Sequence, residues 1–499
     1  MSDTDPLRSE FAREFKRLID ALNAGGLSEQ TSLMKRLTAH LGGDPTTMPI
    51  VAEEFEAYEH PNVQVALDAL LGPDSGRSVE LVGIAMQNKR WGAMSFSDLL
   101  AATGPWGRLA EGPVDYTNFE LDAGNVIACV QFGLFIVTEG DKSYCVYVGG
   151  PPNPGMGPRV RLRVEVIARD RAAAVSFLRE LKAAMAQRNV YRGKIISIAP
   201  EQYGVLSLVK FHTLPVIARE DIVLPDGALE RIERHAVTFS DHAETLVKAG
   251  RSLHRGVLMY GSPGTGKTLT IMYLASRMTG RTIILMSGLA MGRISQLGQF
   301  VRDLAPATIV VEDVDLIAQE RGLPGQQAHP LLFELMNQMD GLADDIDVLF
   351  ILTTNRPDIL EPALAARPGR VDLAVELPVP DANGRLRLLE LYAHGLGLDG
   401  VRLADYVEPT EGASPAYIKE LLRRAALIAT IETGAARLRD AHLRQAMDEL
   451  SAGGELAKRI VGFGTSVYLP LAPSVGPMRP AGFPAAPSAA ANAMPKKPS

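Results

Sequence analysis

The sequence predicts an α/β fold for residues 216–380, an open parallel sheet with helices on both of its faces. Short apolar runs alternate there with longer amphipathic runs, which is the pattern of repeated strand–helix units. A glycine-rich turn at residues 261–268 joins one of these strands to the helix that follows it. The expected strands are Arg255–Tyr260, Thr282–Met286, Thr308–Val311, Val348–Thr353 and Leu373–Glu376.

The glycine-rich turn fits the phosphate-binding motif G-x-x-x-x-G-K-[ST]. Glycines let backbone N–H groups approach phosphate oxygens, and the helix N-terminus adds partial positive charge. A turn with a chance lysine is the alternative, which the strand, the full motif and the helix in register disfavour. The residues expected to bind nucleotide are Gly261, Ser262, Pro263, Gly264, Thr265, Gly266, Lys267, Thr268 and Leu269.

An apolar strand ending in acids supplies the second element of the site. Glu312 and Asp313 directly follow Thr308–Val311, at the end of the strand where phosphates would lie. We expect Glu312, together with the Thr268 hydroxyl, to hold Mg²⁺, and Asp313 to activate the attacking water. Asp315 is expected to pair with basic groups nearby. The alternative is a core strand followed by an acidic turn.

Polar residues after the next strands complete the pattern. Asn355 follows Val348–Thr353, where its amide can contact the outermost phosphate and position water. Arg367 and Arg370 flank a Pro-Gly pair and suit arginine fingers that act on a neighbouring subunit. The alternatives are a simple turn at Asn355 and two arginines in surface salt bridges.

Together these elements, in this order and spacing, resemble the AAA family of ATPases over residues 216–455. The resemblance implies ATP and Mg²⁺ as ligands, a ring that is usually a hexamer, and nucleotide bound between subunits. It assigns Asn355 to sensor 1 and the two arginines to the finger positions. It also implies nucleotide contacts by residues that flank the motif, namely Asp221 and Ile222 on the adenine side, Tyr392, and Ala416 at the start of the sensor 2 helix.

Three features depart from the common family pattern. Glu312-Asp313 reverses the usual Asp-Glu order and is similar to mitochondrial inner-membrane translocases of folded iron–sulfur protein and to some bacterial AAA proteins. One extra residue precedes Arg367, which bears on which arginine acts on the neighbour. The loop containing Met291-Gly292 lacks the aromatic residue of substrate-threading members, so threading by stacked aromatics is not supported, although Met291 could grip a chain weakly.

The rest of the chain divides into four predicted regions. Residues 1–75 are expected to be helical, 78–215 to form an α+β domain for adaptor or substrate recognition, and 381–460 to form a helical lid. Residues 465–499 are rich in Pro and Ala and are expected to be disordered. A hairpin is expected from strands 125–138 and 143–148.

Bulk properties limit the function classes. The chain has 499 residues, 46% hydrophobic, and a net charge of −7, which disfavours nucleic acid as the main partner. Cys129 and Cys145 lie in apolar runs and are expected to be buried free thiols. The start lacks a secretion signal, and the longest apolar run is far below the ~20 residues of a membrane span, so a cytoplasmic protein is expected.

These observations predict an ATP-hydrolysing homo-oligomeric ring, chaperone-like, that remodels, disassembles or translocates protein substrates. One alternative is a motor associated with nucleic acid or a defence complex, which would need a basic surface that arises only on folding. Another is an ATP-gated scaffold with little turnover.

Overall fold

The computed structural model describes residues 31–85, 95–101, 110–122, 124–150, 161–200, 206–286, 294–315, 346–358 and 371–452, together with residues 14, 16 and 17. The predicted tail at 465–499 lies outside the described residues. Within them, no helix combines the length and the apolar character needed to cross a membrane.

The N-terminal half is built on a seven-stranded antiparallel sheet. Its strands follow the order β1-β7-β6-β5-β2-β3, with β4 also paired to the long strand β5. The predicted hairpin is confirmed, because β5 and β6 pair up to Glu139 and Lys142 at the turn. The strands are β1 Ile50–Phe55, β2 Ser78–Ala85, β3 Ala110–Gly112, β4 Asp115–Glu120, β5 Val126–Glu139, β6 Lys142–Gly149 and β7 Leu162–Ala168.

Helices cover both faces of this sheet. They are α1 Ser32–Leu41, α2 His60–Leu71, α3 Phe96–Ala101 and α4 Arg171–Gln187. Successive side chains of a strand point to opposite faces, and both faces of this sheet are covered by helices. Strand β6 is therefore apolar along most of its length. Its Tyr144 and Val146 pack with α2 and α4, whereas Cys145 and Tyr147 pack with α1 and α3. The two cysteines are buried and unpaired, as predicted.

The region predicted to be helical, residues 1–75, contains a strand. Ile50–Phe55 forms β1 and pairs with β7, from Ile50 opposite Ile167 to Phe55 opposite Leu162. This partner lies more than 100 residues away in sequence, so the local pattern gives no sign of it. Pro61 sits in the first turn of α2, where its missing N–H is harmless, and it therefore begins that helix rather than breaking it.

A second seven-stranded sheet forms the centre of the C-terminal half, in the order β14-β10-β13-β12-β11-β8-β9. All its pairs are parallel except the β8–β9 hairpin, which confirms the predicted parallel sheet. The strands are β8 Ile195–Pro200, β9 Leu206–Phe211, β10 Arg255–Tyr260, β11 Thr282–Met286, β12 Ala307–Val311, β13 Val348–Thr354 and β14 Leu373–Glu376.

Helices pack against this sheet as well. They are α5 Ala228–Glu233, α6 Phe239–Asp241, α7 Ala243–Lys248, α8 Lys267–Arg277 and α9 Ile294–Asp303, with a π-helical turn at Arg234–Thr238. Phe300 of α9 joins the core on one face, and Leu274 of α8 joins the core on the other. The predicted arrangement of helices on both faces is therefore confirmed.

Strands β8 and β9 belong to the region predicted as the N-terminal α+β domain, yet they extend the parallel sheet. β8 pairs with β11, from Ile195 opposite Ile283 to Ile198 opposite Met286. The ring of Phe300 lies 5.0 Å from that of Tyr58 and 6.0 Å from that of Tyr191. The two halves of the chain thus share a sheet and an aromatic contact.

The lid, defined here as residues 382–452, is a separate helical layer with its own core. It consists of α10 Ala382–Ala393, α11 Pro415–Thr433, α12 Asp440–Ala452 and the short parallel pair β15 Gly397–Leu398 and β16 Arg437–Leu438. The Asp381 carboxylate accepts the Gly384 N–H at 2.7 Å and caps α10. Ser414 caps α11 in the same way, through the Tyr417 N–H.

A buried ionic cluster lies at the amino-terminal edge of the parallel sheet. Arg255 opens β10, while Arg281 and Asp347 directly precede β11 and β13. The Asp347 carboxylate accepts hydrogen bonds from both guanidinium groups, at 2.8 Å from Arg255. Ser240 contacts both arginines as well. This cluster, Arg255–Asp347–Arg281, connects three strands at the end of the sheet opposite the glycine-rich turn at residues 261–268, the P-loop.

Candidate functional site

The P-loop lies where β10 ends and α8 begins, between the ends of the neighbouring strands. The Gly261 N–H donates to the Thr354 carbonyl at 3.3 Å, which joins the loop to β13. A Cβ on Gly261 would lie 2.2 Å from the Leu377 carbonyl oxygen, and its φ of 149° is unusual for other residues. Only glycine therefore lets the chain pass between β13 and the end of β14.

Lys267 is the buried cation of this loop. Its ammonium donates to the Gly261 carbonyl at 2.8 Å and to the Ser262 carbonyl at 3.0 Å. Burial lowers the pKa of Lys267, and the carboxylates of Asp313 and Asp315 oppose that shift by favouring the charged form. A positive charge is thus held beneath the loop, facing the acidic ends of the strands.

Thr268 and Glu312 meet although they are 44 positions apart in sequence. The Thr268 hydroxyl donates to the Glu312 carboxylate at 2.6 Å, and both side chains are exposed. Both groups are oxygen donors, which suit a hard divalent cation such as Mg²⁺. The donor set therefore fits the ion that the sequence predicts at these two residues.

Asp313 and Asn355 form a second pair beside the first. The Asn355 side-chain amide donates to the Asp313 carboxylate at 2.9 Å. Asp313 has a φ of 49°, a left-handed backbone that costs a residue with a Cβ about 1–2 kcal/mol. Its N–H donates to the Thr353 hydroxyl at 3.1 Å. The two predicted catalytic side chains are thus brought into contact by the adjacent ends of β12 and β13.

Asp315 is held by hydrogen bonds from neighbouring polar groups within the part of the chain that the structure describes. Its buried carboxylate accepts the Thr354 hydroxyl at 2.8 Å and the Asn355 backbone N–H at 3.2 Å. The Asp315 charge also favours the charged form of Lys267, a basic group nearby. Sequence reasoning missed Thr353 and Thr354, although two hydroxyls directly before Asn355 were a usable signal.

The lid contacts the P-loop at Gly264, in the middle of the loop. The Ala416 N–H donates to the Gly264 carbonyl at 3.2 Å. A Cβ built on Gly264 would lie 2.9 Å from the Ala416 Cβ and 2.9 Å from the Ser414 hydroxyl. The start of α11 therefore packs against the loop that is predicted to hold the phosphates.

We expect Gly264→Ala to weaken ATP binding by about tenfold or more, because the added methyl group pushes α11 away from the P-loop. Gly280→Ala is the matched control: Gly280 has the same φ of 79°, but nothing lies within 4 Å of its added Cβ. Titration with a fluorescent ATP analogue measures both variants. Equal affinities in the two variants would show that the contact between the P-loop and the lid does not contribute to ATP binding.

The predicted adenine-side residues lie in the segment before α5 and in the lid. Ile222 is buried, and the Asp221 carboxylate accepts the Ala218 N–H at 3.1 Å. Tyr392 is half-buried on α10 with the Lys419 ammonium 6.0 Å from its ring centre. Burial raises the pKa of Tyr392, and the Asp221 carboxylate adds to that shift, so the two predicted contacts are near each other.

The remaining predicted loop residues take supporting positions. The Thr265 hydroxyl donates to the Ser262 carbonyl at 2.9 Å, which closes the turn around the exposed Pro263. Gly266 immediately precedes α8, and Leu269 is half-buried in its first turn. Arg367, Arg370 and the Met291-Gly292 loop lie outside the described residues.

Comparison with known proteins agrees with this geometry. The family model described as ATPase family associated with various cellular activities (AAA) matches residues 257–379, which include the P-loop, both acids and the asparagine. The ATP-dependent zinc metalloprotease FtsH of Cutibacterium acnes is 33% identical over 227 residues, 43% of this chain and 31% of that protein.

The match to this chain covers a larger share of two archaeal relatives. The proteasome-activating nucleotidase of Thermococcus onnurineus is 32% identical over 250 residues, 47% of this chain and 62% of that protein. The protein of the same name from Thermococcus kodakarensis is 31% identical over 289 residues, 55% of this chain and 70% of that protein. The matched region thus spans less than two thirds of the length of the first two relatives.

Proposed function

This chain belongs to the AAA family of ATPases, and we propose that it hydrolyses ATP to ADP and phosphate at the P-loop. The observation that carries the proposal is the meeting of two pairs at this loop, Thr268 with Glu312 and Asp313 with Asn355. One pair offers oxygen ligands for a cation, and the other offers a base beside an amide. Phosphate release from ATP by the purified protein tests the activity.

The residues of the loop have separate roles in this proposal. Gly261, Gly264 and Gly266 let the backbone N–H groups face phosphate oxygens. The Lys267 ammonium, which donates to two loop carbonyls in the present structure, donates to the outer phosphates when ATP is bound. Thr268 and Glu312 would hold Mg²⁺. The bound ion supplies neutralisation of the charge on the phosphate oxygens.

Asp313 and Asn355 act on the water. The Asp313 carboxylate accepts a proton as the water oxygen bonds to the outermost phosphorus, while the bond from that phosphorus to the bridging oxygen breaks and ADP leaves. The Asn355 amide contacts Asp313 at 2.9 Å and fixes the direction of the carboxylate and of the water. Asp221, Ile222, Tyr392 and Ala416 bind the nucleoside side.

We also propose that the active form is a homo-oligomeric ring, a hexamer, in which Arg367 or Arg370 of one subunit reaches the phosphate of the next. An arginine finger stabilises the charge of the transferring phosphoryl group and is worth roughly 10³–10⁵ in rate. Glu312 is exposed and Asp313 is half-exposed, so negative charge faces solvent at this site. This charge supports the approach of an arginine from a neighbouring subunit.

We expect Arg370→Ala to abolish turnover on its own and to regain part of it when mixed with Asp313→Asn. The Arg370→Ala subunit keeps an intact site, and an Asp313→Asn neighbour keeps an intact finger, so a mixed ring has productive interfaces. The measurement is phosphate release across mixing ratios, with Arg367→Ala as the matched variant. If neither arginine variant is complemented, the fingers do not act between subunits.

Protein is the proposed substrate class. Two relatives are an ATP-dependent zinc metalloprotease and a proteasome-activating nucleotidase, and this supports remodelling or translocation of proteins by the present chain. The net charge of −7 offers little attraction for nucleic acid. The N-terminal antiparallel sheet would then recognise the substrate or adaptor. A cytoplasmic location is part of this proposal, supported by two buried free cysteines.

A further inference from the structure

Asp313 is the only non-glycine residue with a positive φ in the part of the chain that the structure describes, at 49°. Such a backbone conformation persists only where surrounding contacts hold it, and it concentrates at functional sites. The paired ladder between β12 and β13 ends at Val311 opposite Leu352, so Asp313 lies beyond the last regular pair. Something other than the sheet must therefore hold its backbone.

The Thr353 hydroxyl is the group that does so. Its oxygen accepts the Asp313 N–H at 3.1 Å, one residue beyond the end of the ladder. Thr353 is 1% exposed, so water cannot replace it as the acceptor. The next residue, Thr354, has a different role, because its hydroxyl donates to Asp315 and accepts the Arg356 N–H. Thr353 thus binds the backbone of Asp313, the residue proposed as the general base. Thr354 instead binds groups in the loop that contains Asn355.

We propose that Thr353 is a positioning residue for ATP hydrolysis: its hydroxyl fixes the left-handed backbone of Asp313 and so aims the carboxylate at the water. The short side chain of aspartate makes this aim a matter of backbone conformation, since only one methylene separates the carboxylate from Cα. The inference rests on the proposed role of Asp313 as the base.

Thr353→Val tests the inference, because valine keeps the shape of threonine and removes the acceptor. We expect kcat to fall about tenfold or more while the Kd for ATP changes less than about twofold, and we expect Thr353→Ser to restore most of the rate. Thr282→Val is the matched control, since that buried hydroxyl accepts the Gly193 N–H at 3.0 Å far from the site. It should lose comparable stability and keep its kcat.

A double-mutant cycle separates positioning from general damage. In the Asp313→Asn background, Thr353→Val should lower the residual turnover no further, because there is no base left to aim. An equal fold loss in both backgrounds would overturn the inference, as would a Thr353→Val enzyme with the kcat of Thr282→Val. If Thr353→Val does not fold, Thr353→Cys, with its weak sulfur acceptor, replaces it with the same expected outcomes.

The two proposals fail in different ways. If Asp313→Asn turns over ATP at the wild-type rate, the assignment of the base is wrong and the role of Thr353 falls with it. If Asp313→Asn is inactive while Thr353→Val is fully active, only the positioning role is wrong.

Discussion

Replacing Asp313 with asparagine is expected to lower ATP turnover by about a hundredfold or more while ATP still binds. Asparagine has the same shape and keeps one oxygen for the hydrogen bond from Asn355, which is 2.9 Å in the present structure. It cannot accept the proton of the attacking water at neutral pH. The change therefore removes the general base and leaves Lys267, Thr268 and Glu312 to bind the nucleotide.

The experiment measures phosphate release and ATP affinity in the same preparation. Asp405→Asn is a suitable control, since Asp405 is an exposed lid residue whose carboxylate pairs with Arg402 on the surface. It should match the wild type in both measurements. Turnover near the wild-type rate in Asp313→Asn would exclude this residue as the base. Loss of ATP binding would instead assign Asp313 a role in holding the nucleotide.

Asp347→Ala is expected to cost about 3–5 kcal/mol in the free energy of unfolding, because it leaves two buried arginines without their carboxylate. Asp347 neutralises two guanidinium groups, of which Arg255 is 2% exposed and Arg281 is 6% exposed. Burial already lowers the pKa of Arg255, and the Asp347 carboxylate opposes that shift. Without the carboxylate, two buried cations remain side by side at the edge of the sheet.

Thermal melting of the full chain measures this effect, with an expected fall in the midpoint of roughly 3–5 °C. Asp405→Ala is the matched control, because it removes the same side chain from an exposed pair and should leave the midpoint nearly unchanged. Asp347→Asn keeps the shape and loses the charge, so it should fall between the two. If Asp347→Ala melts with the control, the cluster does not stabilise the sheet.

Strands β10 to β13 of the parallel sheet were predictable because each is a short apolar run that is buried on both sides. Predicted and observed limits agree within one residue for β10 to β14. The P-loop was predictable for a different reason: its motif is contiguous, and its chemistry depends on residue types at fixed spacing. The same holds for Glu312, Asp313 and Asn355, each of which directly follows a predictable strand.

Contacts between distant segments could not be predicted. Thr353 and Asp313 are 40 positions apart, and the bond between them depends on the register of β12 against β13. The sharing of Asp347 between Arg255 and Arg281 likewise depends on the order of the strands in the sheet. A pattern of residue types contains strand positions but no register, so the hydrogen bonds of Asp315 to Thr354 and Asn355 could not be predicted from it.

The strand that the N-terminal half contributes to the parallel sheet limits which pieces of this protein can be exchanged as modules. Recombination at residue 216, just after β9, would transfer the P-loop and the lid but leave β11 with an open edge. Open edges of sheets pair readily with other chains and favour aggregation. The smallest transferable unit therefore begins before Ile195, and a chimera that joins the P-loop and the lid to a foreign domain must include the β8–β9 hairpin.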